Sequence, residues 1–163
     1  PQRIEKLGHI LKDLREKKEY DNIFLDSITE IAECVVACVQ KEFPDRKDSL
    51  PMWGEYAKRM KSIVKSFRDL PGYNVFMTCL AEYDKDENNR RFIGCDVVGK
   101  AGRQLPQFFD EVFYVYRNAE GMHRFFTKKI DTNVSKDRSG KLDEDMPADL
   151  GLVMMKIFER EKK

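Results

Sequence analysis

The sequence predicts an α/β fold in which helices pack on a mostly parallel sheet, with an antiparallel hairpin towards the carboxyl-terminal side. Three observations carry this. The apolar run Asn22-Ile23-Phe24-Leu25 ends in Asp26-Ser27 and passes straight into a helical pattern at Ile28. A second apolar run, residues 73–79, follows two amphipathic stripes. Two more strand-like segments, residues 111–116 and 122–130, flank the turn-forming residues 118–121. Short apolar runs beside helical patterns suit strands buried on both faces. The order strand, helix, helix, strand suits a right-handed crossover between parallel strands.

Each element has its own signal. Ile4, Leu7, Leu11 and Leu14 recur at spacings of three and four, one apolar stripe on a charged helix that covers the sheet. Ile28, Ile31, Ala32, Val35, Val36 and Val39 form the next stripe, flanked by Cys34 and Cys38. Pro44 ends that helix by disfavouring helical backbone at the residue before it. Residues 46–50 read as a loop, and Pro51 opens the third helix. The inner face of that helix holds Trp53, Tyr56, Met60, Ile63, Val64 and Phe67, a core stripe and not a stacking platform. Pro71-Gly72 stops it. The polar residues 84–91 suit a hairpin or loop, with a short return strand over 91–97. Residues 136–141 read as a solvated basic loop. Pro147 opens a last helix with Leu150, Val153, Met154, Ile157 and Phe158 inward, before a charged tail.

The 163 residues suit one domain with a real core, without internal repeat or linker. A hydrophobic share of 41% and a charged share of 36% are those of an ordinary water-soluble protein. The net charge of +1 gives no whole-molecule field for nucleic acid, although a local basic face is compatible with it. Cys34, Cys38, Cys79 and Cys95 form no CxxC pair, and His9 and His123 are the only histidines, which argues against a zinc site. Reduced, partly buried thiols are expected. None of these residues form a signal-peptide pattern or a bilayer-length apolar run, so a chain without leader or membrane span is expected. The sequence starts at Pro1, as expected of a chain that has lost its methionine or of a piece of something longer.

Chemistry centres on Asp26. A carboxylate at the carboxyl end of a buried strand stands where open α/β sheets bind ligands, and it can hold Mg²⁺ beside nucleotide phosphates. Asp26-Ser27 is equally a helix N-cap sequence. A metal-dependent nuclease would combine Asp26 with Glu30, Glu82 or Asp84. Gly99-Lys100 is read as failing as a phosphate loop, because the pattern GxxxxGK[ST] needs Ser or Thr where Ala101 stands and a buried strand just before.

Several segments, in order, resemble the phage-encoded AAA/RecA-like P-loop nucleotide-binding proteins, some relatives of which are associated with single-strand-annealing recombination. These segments are Asn22-Ile23-Phe24-Leu25-Asp26-Ser27, Trp53-Gly54-Glu55-Tyr56, and the run from Asn74 to Glu82. Gly99-Lys100 follows, then Leu105-Pro106 and the run from Phe108 to Phe113, and last Lys136-Asp137-Arg138-Ser139-Gly140-Lys141-Leu142. The resemblance implies a three-layer RecA-like core that takes ATP and Mg²⁺. It implies that Asp26 is the Walker B aspartate, with Ser27 beside it at the nucleotide. Thr78 matches the polar sensor near the γ-phosphate. Lys136 and Arg138 match a segment whose basic residues reach a neighbouring subunit's nucleotide. Gly99 and Lys100 match a family loop of undefined role. The implied partners are further copies of the chain and single-stranded DNA or a DNA-binding protein, with no membrane, in the host bacterial cytoplasm. The sequence also departs from the pattern. The Walker A strand and loop and the usual catalytic glutamate belong upstream of these residues, and Cys95 stands where the family has proline. The expectation is therefore the distal portion of an ATPase, or a derivative that no longer hydrolyses ATP, with an interaction module built on a truncated core as the alternative.

Overall fold

A computed structural model describes residues 2–44, 49–85, 89, 91–129 and 132–159. They group into two compact units: residues 1–82 with 95–108, and residues 83–94 with 109–163.

The first unit is built on helix α1 (Gln2–Glu16), strand β1 (Asn22–Leu25), helices α2 (Ile28–Glu42) and α3 (Leu50–Arg68), and strand β2 (Asn74–Met77). β1 and β2 pair in parallel with Asn22 opposite Asn74 and Leu25 opposite Met77. Alternation sends Ile23, Leu25, Val75 and Met77 to one side, where they meet Phe67, Leu70 and the α1 residues Leu7, Leu11 and Leu14. The predicted α1 stripe therefore does cover the sheet. Phe24 and Phe76 share the other side and stack at 4.7 Å. The α2 and α3 stripes supply a buried core of Ile28, Ala32, Val35, Val39, Met52, Tyr56, Met60 and Val64.

Local chemistry sets the helix ends. Ser27 caps α2 by accepting the Glu30 N–H at 3.3 Å, and the helix stops at Phe43, whose N–H reaches Val39 O at 3.0 Å. Ser49 caps α3 through the Met52 N–H, with Pro51 in the first turn as expected. Of the anticipated loop 46–50, residues 46–48 lie outside the described residues, and Leu50 already belongs to α3. Arg59 ties the two helices together. It holds Glu42 by two bonds of 2.7 and 2.6 Å and Glu55 by one of 2.8 Å.

Strands β3 (Ala81–Lys85) and β4 (Arg91–Cys95) pair with each other, so the return strand expected over 91–97 is present as β4 and residues 84–85 already belong to the strand before it. Short helix α4 (Lys100–Gln104) and a 3₁₀ turn over Leu105–Phe108 complete the first unit. Gly102 is required there: a Cβ at this position would sit 2.6 Å from Cys95 O and 2.8 Å from Val97 O.

The second unit contains most of β3 and β4 together with β5 (Glu111–Val112), β6 (Tyr114–Arg117), β7 (His123–Phe126), β8 (Lys136–Asp137), β9 (Asp145–Pro147) and helix α5 (Leu150–Phe158). The expected hairpin is present as the antiparallel pair β6–β7, extended by β9. The single strand expected over 111–116 is broken at Phe113, and its first half pairs with β8 instead. Pro147 ends β9 and does not open the last helix; Asp149 caps α5 through the Leu152 N–H at 3.1 Å. Phe125, Leu142, Met146 and Val153 form the core here. Phe158, expected inward, is exposed.

The fold is thus mixed α/β. The expectation of a mostly parallel three-layer sheet is not met: β1 and β2 pair in parallel, but the ladders β5–β8, β6–β7 and β7–β9 are antiparallel. The period-2 and apolar-run signals find strands without fixing their partners, which depend on residues distant in sequence.

Candidate functional site

The parallel register places the carboxyl ends of β1 and β2 side by side, so Asp26 and Thr78 leave adjacent strand ends. The Thr78 hydroxyl donates to Asp26 Oδ1. Backbone bonds fix the pair: Thr78 N–H donates to Leu25 O at 3.0 Å, and Ile28 N–H to Thr78 O at 2.8 Å. Asp26 and Thr78 are exposed while Leu25 and Ile28 on either side of Asp26–Ser27 are buried, so a polar edge stands on an apolar base. Ser27, half-buried, spends its hydroxyl on the α2 cap.

A second layer supports this edge. Thr29, nearly buried, accepts the Leu80 N–H at 3.1 Å through its hydroxyl, which also lies 3.4 Å from Cys79 Sγ. Thr29 was invisible in the sequence because it sits in a first helical turn, where a threonine has many uses.

A cavity of about 370 Å³ opens beside the edge, lined by Arg3, Leu7, Phe24, Asp26, Ser27 and Glu30 among others. Arg3 reaches across it to Glu30 at 3.1 Å. Mg²⁺ commonly takes one or two carboxylates and completes its shell with phosphate oxygens and water. A single exposed Asp at a strand end fits that demand. Among the described residues no group of three or more His, Cys, Asp or Glu is placed to hold a metal, so the nuclease reading gains no support.

Lys136 and Arg138 belong to the second unit, in a structured turn and not a solvated loop. Asp137 organises it. Its Oδ1 accepts the Ser139 hydroxyl at 2.6 Å and the Gly140 N–H at 2.9 Å, and its Oδ2 accepts the Leu142 N–H at 3.1 Å. Glu111 on β5 accepts the N–H groups of Arg138 and Ser139 at 3.2 and 3.1 Å. Burial pushes the Asp137 carboxyl up, but the Ser139 hydroxyl, the two N–H groups and Glu111 outweigh it and hold the group below its usual range. Glu111 is pushed up, first by burial and then by the charge of Asp137. Lys136 donates to Phe109 O. Arg138 pairs with Asp110 at 2.6 Å, both side chains 72% exposed. Gly99, at φ +70°, precedes α4 without a side-chain cap; contrary to the expectation, strand β4 does run up to this loop, Gly94 and Gly99-Lys100 have the GxxxxGK spacing, and the departure from a phosphate loop is Ala101 in place of Ser or Thr.

A family model for the AAA domain matches residues 3–139, most of the chain and both units. The chain belongs to the AAA domain family. AAA domains are P-loop NTPase-related, nucleotide-binding modules whose usual ligands are ATP and Mg²⁺. No curated protein and no solved structure matched this AAA domain. Among its described residues no helix is long and apolar enough to cross a membrane.

Proposed function

We propose that this AAA domain is the distal portion of a phage-type RecA-like ATP-binding protein that works in DNA recombination or replication. The observation that carries the reading is the hydrogen bond from Thr78 to Asp26 at two paired, parallel strand carboxyl ends. A carboxylate there organises Mg²⁺, and a neighbouring hydroxyl senses the terminal phosphate. In this reading Asp26 holds the metal ion, and Ser27 and Thr78 border the nucleotide. Arg138, whose exposed guanidinium can exchange Asp110 for phosphate oxygens, acts with Lys136 on the nucleotide of an adjacent subunit of a homo-oligomer, with single-stranded DNA or a DNA-binding protein as the further partner.

The 163 residues contain no GxxxxGK[ST] segment. Backbone N–H groups and a lysine from such a loop are what cradle phosphate. No hydrolysis is therefore expected from this chain alone. Calorimetry with Mg²⁺ and a non-hydrolysable ATP should show no binding in the low micromolar range. A clear micromolar isotherm would require a phosphate site elsewhere in these residues.

A second reading, an interaction module on an ATPase-derived core, is favoured by one feature. Parallel strands are normally covered on both faces, yet Phe24 is 61% exposed where it stacks on Phe76. Under that reading Phe24→Ser weakens partner capture and Asp26→Asn changes nothing. Under the nucleotide reading Asp26→Asn is the damaging change.

A further inference from the structure

Cys79 follows Thr78 on the segment leaving β2, and Cys95 is the last residue of β4. The two segments lie side by side. The Asp96 N–H donates to Leu80 O at 2.8 Å, and Cys79 Sγ lies 4.0 Å from Asp96 O. The side chains of Cys79 and Cys95 act on one another between these segments, each shifting the other's ionisation. Both cysteines are free and half-buried, within reach of a small oxidant. Hydrogen bonds hold both backbones: the Asp96 N–H bond to Leu80 O fixes the Cys95 side, and the Thr78 and Leu80 N–H bonds flank Cys79.

The electrostatics divides the two sulfurs into different roles. The hydrogen bond from Cys95, helped by the Thr29 hydroxyl and working against burial, lowers the Cys79 thiol to about 7. Cys95, which gives that hydrogen bond and is itself buried beside Cys79, is pushed up. A thiolate held next to a protonated thiol is the arrangement of an attacking and a resolving cysteine.

We propose that Cys79 and Cys95 form a reversible disulfide on exposure to a peroxide, with Cys79 as the attacking sulfur. The Cys79 thiolate attacks one peroxide oxygen, the O–O bond breaks, and the departing hydroxide takes up a proton to become water. Cys79 is then a sulfenic acid. The Cys95 sulfur attacks the Cys79 sulfur, the S–O bond breaks, and the second oxygen leaves as water with the proton Cys95 gives up. Two thiols lose two electrons to one peroxide, and a dithiol reductant returns them.

The bond forms one residue from Thr78. It removes the thiol facing Thr29 and ties the β2 exit to residues 95–97, which alters the Thr78–Asp26 edge. This regulatory consequence rests on reading that edge as the nucleotide site, whereas the covalent step does not.

The test uses the folded chain treated with a small excess of hydrogen peroxide, followed by thiol counting, intact mass and non-reducing peptide mapping. The expected result is loss of two thiols, a mass decrease of about 2 Da, a peptide pair joining Cys79 to Cys95, and full reversal by dithiothreitol. Cys95→Ser should stop at the sulfenic acid, trapped by dimedone, and Cys79→Ser should abolish the rapid reaction. Alkylation of Cys79 should be about tenfold faster at pH 8 than at pH 6 after correction for the reagent, as its thiolate fraction dictates. Peptide maps joining Cys34 to Cys38, a disulfide between two chains, or no thiol loss would each overturn the proposal. Should the serine variants not fold, the wild-type map still decides it. A disulfide found in this chain, together with parental ATP hydrolysis by the Asp26→Asn variant of a polypeptide in which a GxxxxGK[ST] loop precedes these residues, would fail the reading of the edge and leave the thiol chemistry standing.

Discussion

Replacing Asp137 with alanine should destabilise the second unit by about 2–3 kcal/mol, while replacing its neighbour Arg138 should cost almost nothing. The Asp137 carboxylate accepts three hydrogen bonds, from Ser139, Gly140 and Leu142, between 2.6 and 3.1 Å. Leu142 is 3% exposed and belongs to the core with Phe125, Met146 and Val153, so its N–H has no ready water substitute. A bond to a charged acceptor contributes roughly 1.5 kcal/mol, and partial solvent access of this carboxylate reduces that to about 1 kcal/mol each. Asp137→Asn keeps one acceptor oxygen and should lose about half as much. The Arg138–Asp110 pair is open to water on both sides, so Arg138→Ala should fall within about 0.5 kcal/mol of the parent. Urea unfolding followed by far-ultraviolet circular dichroism gives the ranking. Amide hydrogen exchange at Gly140 and Leu142 locates it, with protection lost in Asp137→Ala and kept in Arg138→Ala. An Asp137→Ala protein as stable as the parent, or an Arg138→Ala protein equally destabilised, would refute the view that the aspartate builds the turn and the arginine is merely displayed by it.

Two further outcomes follow from buried and paired groups. The Tyr56 hydroxyl is buried without a hydrogen-bond partner among the described residues, and burial first, then the nearby Cys79, pushes its ionisation up to about 12. Tyr56→Phe should therefore leave stability unchanged or raise it by about 1 kcal/mol, and a loss of that size in thermal unfolding would show that the hydroxyl has a partner. Glu42, Asp69 and Asp143 are held below their usual range by hydrogen bonds from Arg59, Arg68 and Lys156. Their folded values lie below the unfolded ones, so the unfolded chain takes up protons first as pH falls. The stability they give is full above about pH 4.5 and is lost as pH falls through the folded values; Glu111, pushed up, works in the opposite sense. The unfolding midpoint should be level from about pH 7 to 5 and fall below about pH 4, and a midpoint that rises on acidification would contradict this.

The first unit was the more legible part of the sequence. Its helices announce themselves by apolar spacing, with Pro44 and Pro51 at their ends, and Asp26 stands at the strand end that the run Asn22–Leu25 implies. The second unit was harder to read. Its strands β5 to β9 are two to four residues long, too short for alternation to declare itself, and β8 lies inside a charged stretch that looks like loop. The roles within that stretch were hidden for the same reason. Lys136 and Arg138 drew notice as cations, whereas Asp137, which holds the turn, resembles any solvated aspartate until Ser139, Gly140 and Leu142 are seen around it. Asp26 and Thr78 are 52 residues apart, and only the parallel register joins them.

The most direct measurement is ATP hydrolysis by a polypeptide in which a GxxxxGK[ST] loop precedes these residues, compared with its Asp26→Asn variant at equal folding. Loss of the Mg²⁺-holding carboxylate should lower kcat by at least about 100-fold, a loss of about 2.7 kcal/mol or more in transition-state stabilisation, with the circular dichroism spectrum unchanged. An Asp26→Asn protein that hydrolyses ATP at the parental rate would contradict the assignment of this strand end as the nucleotide edge.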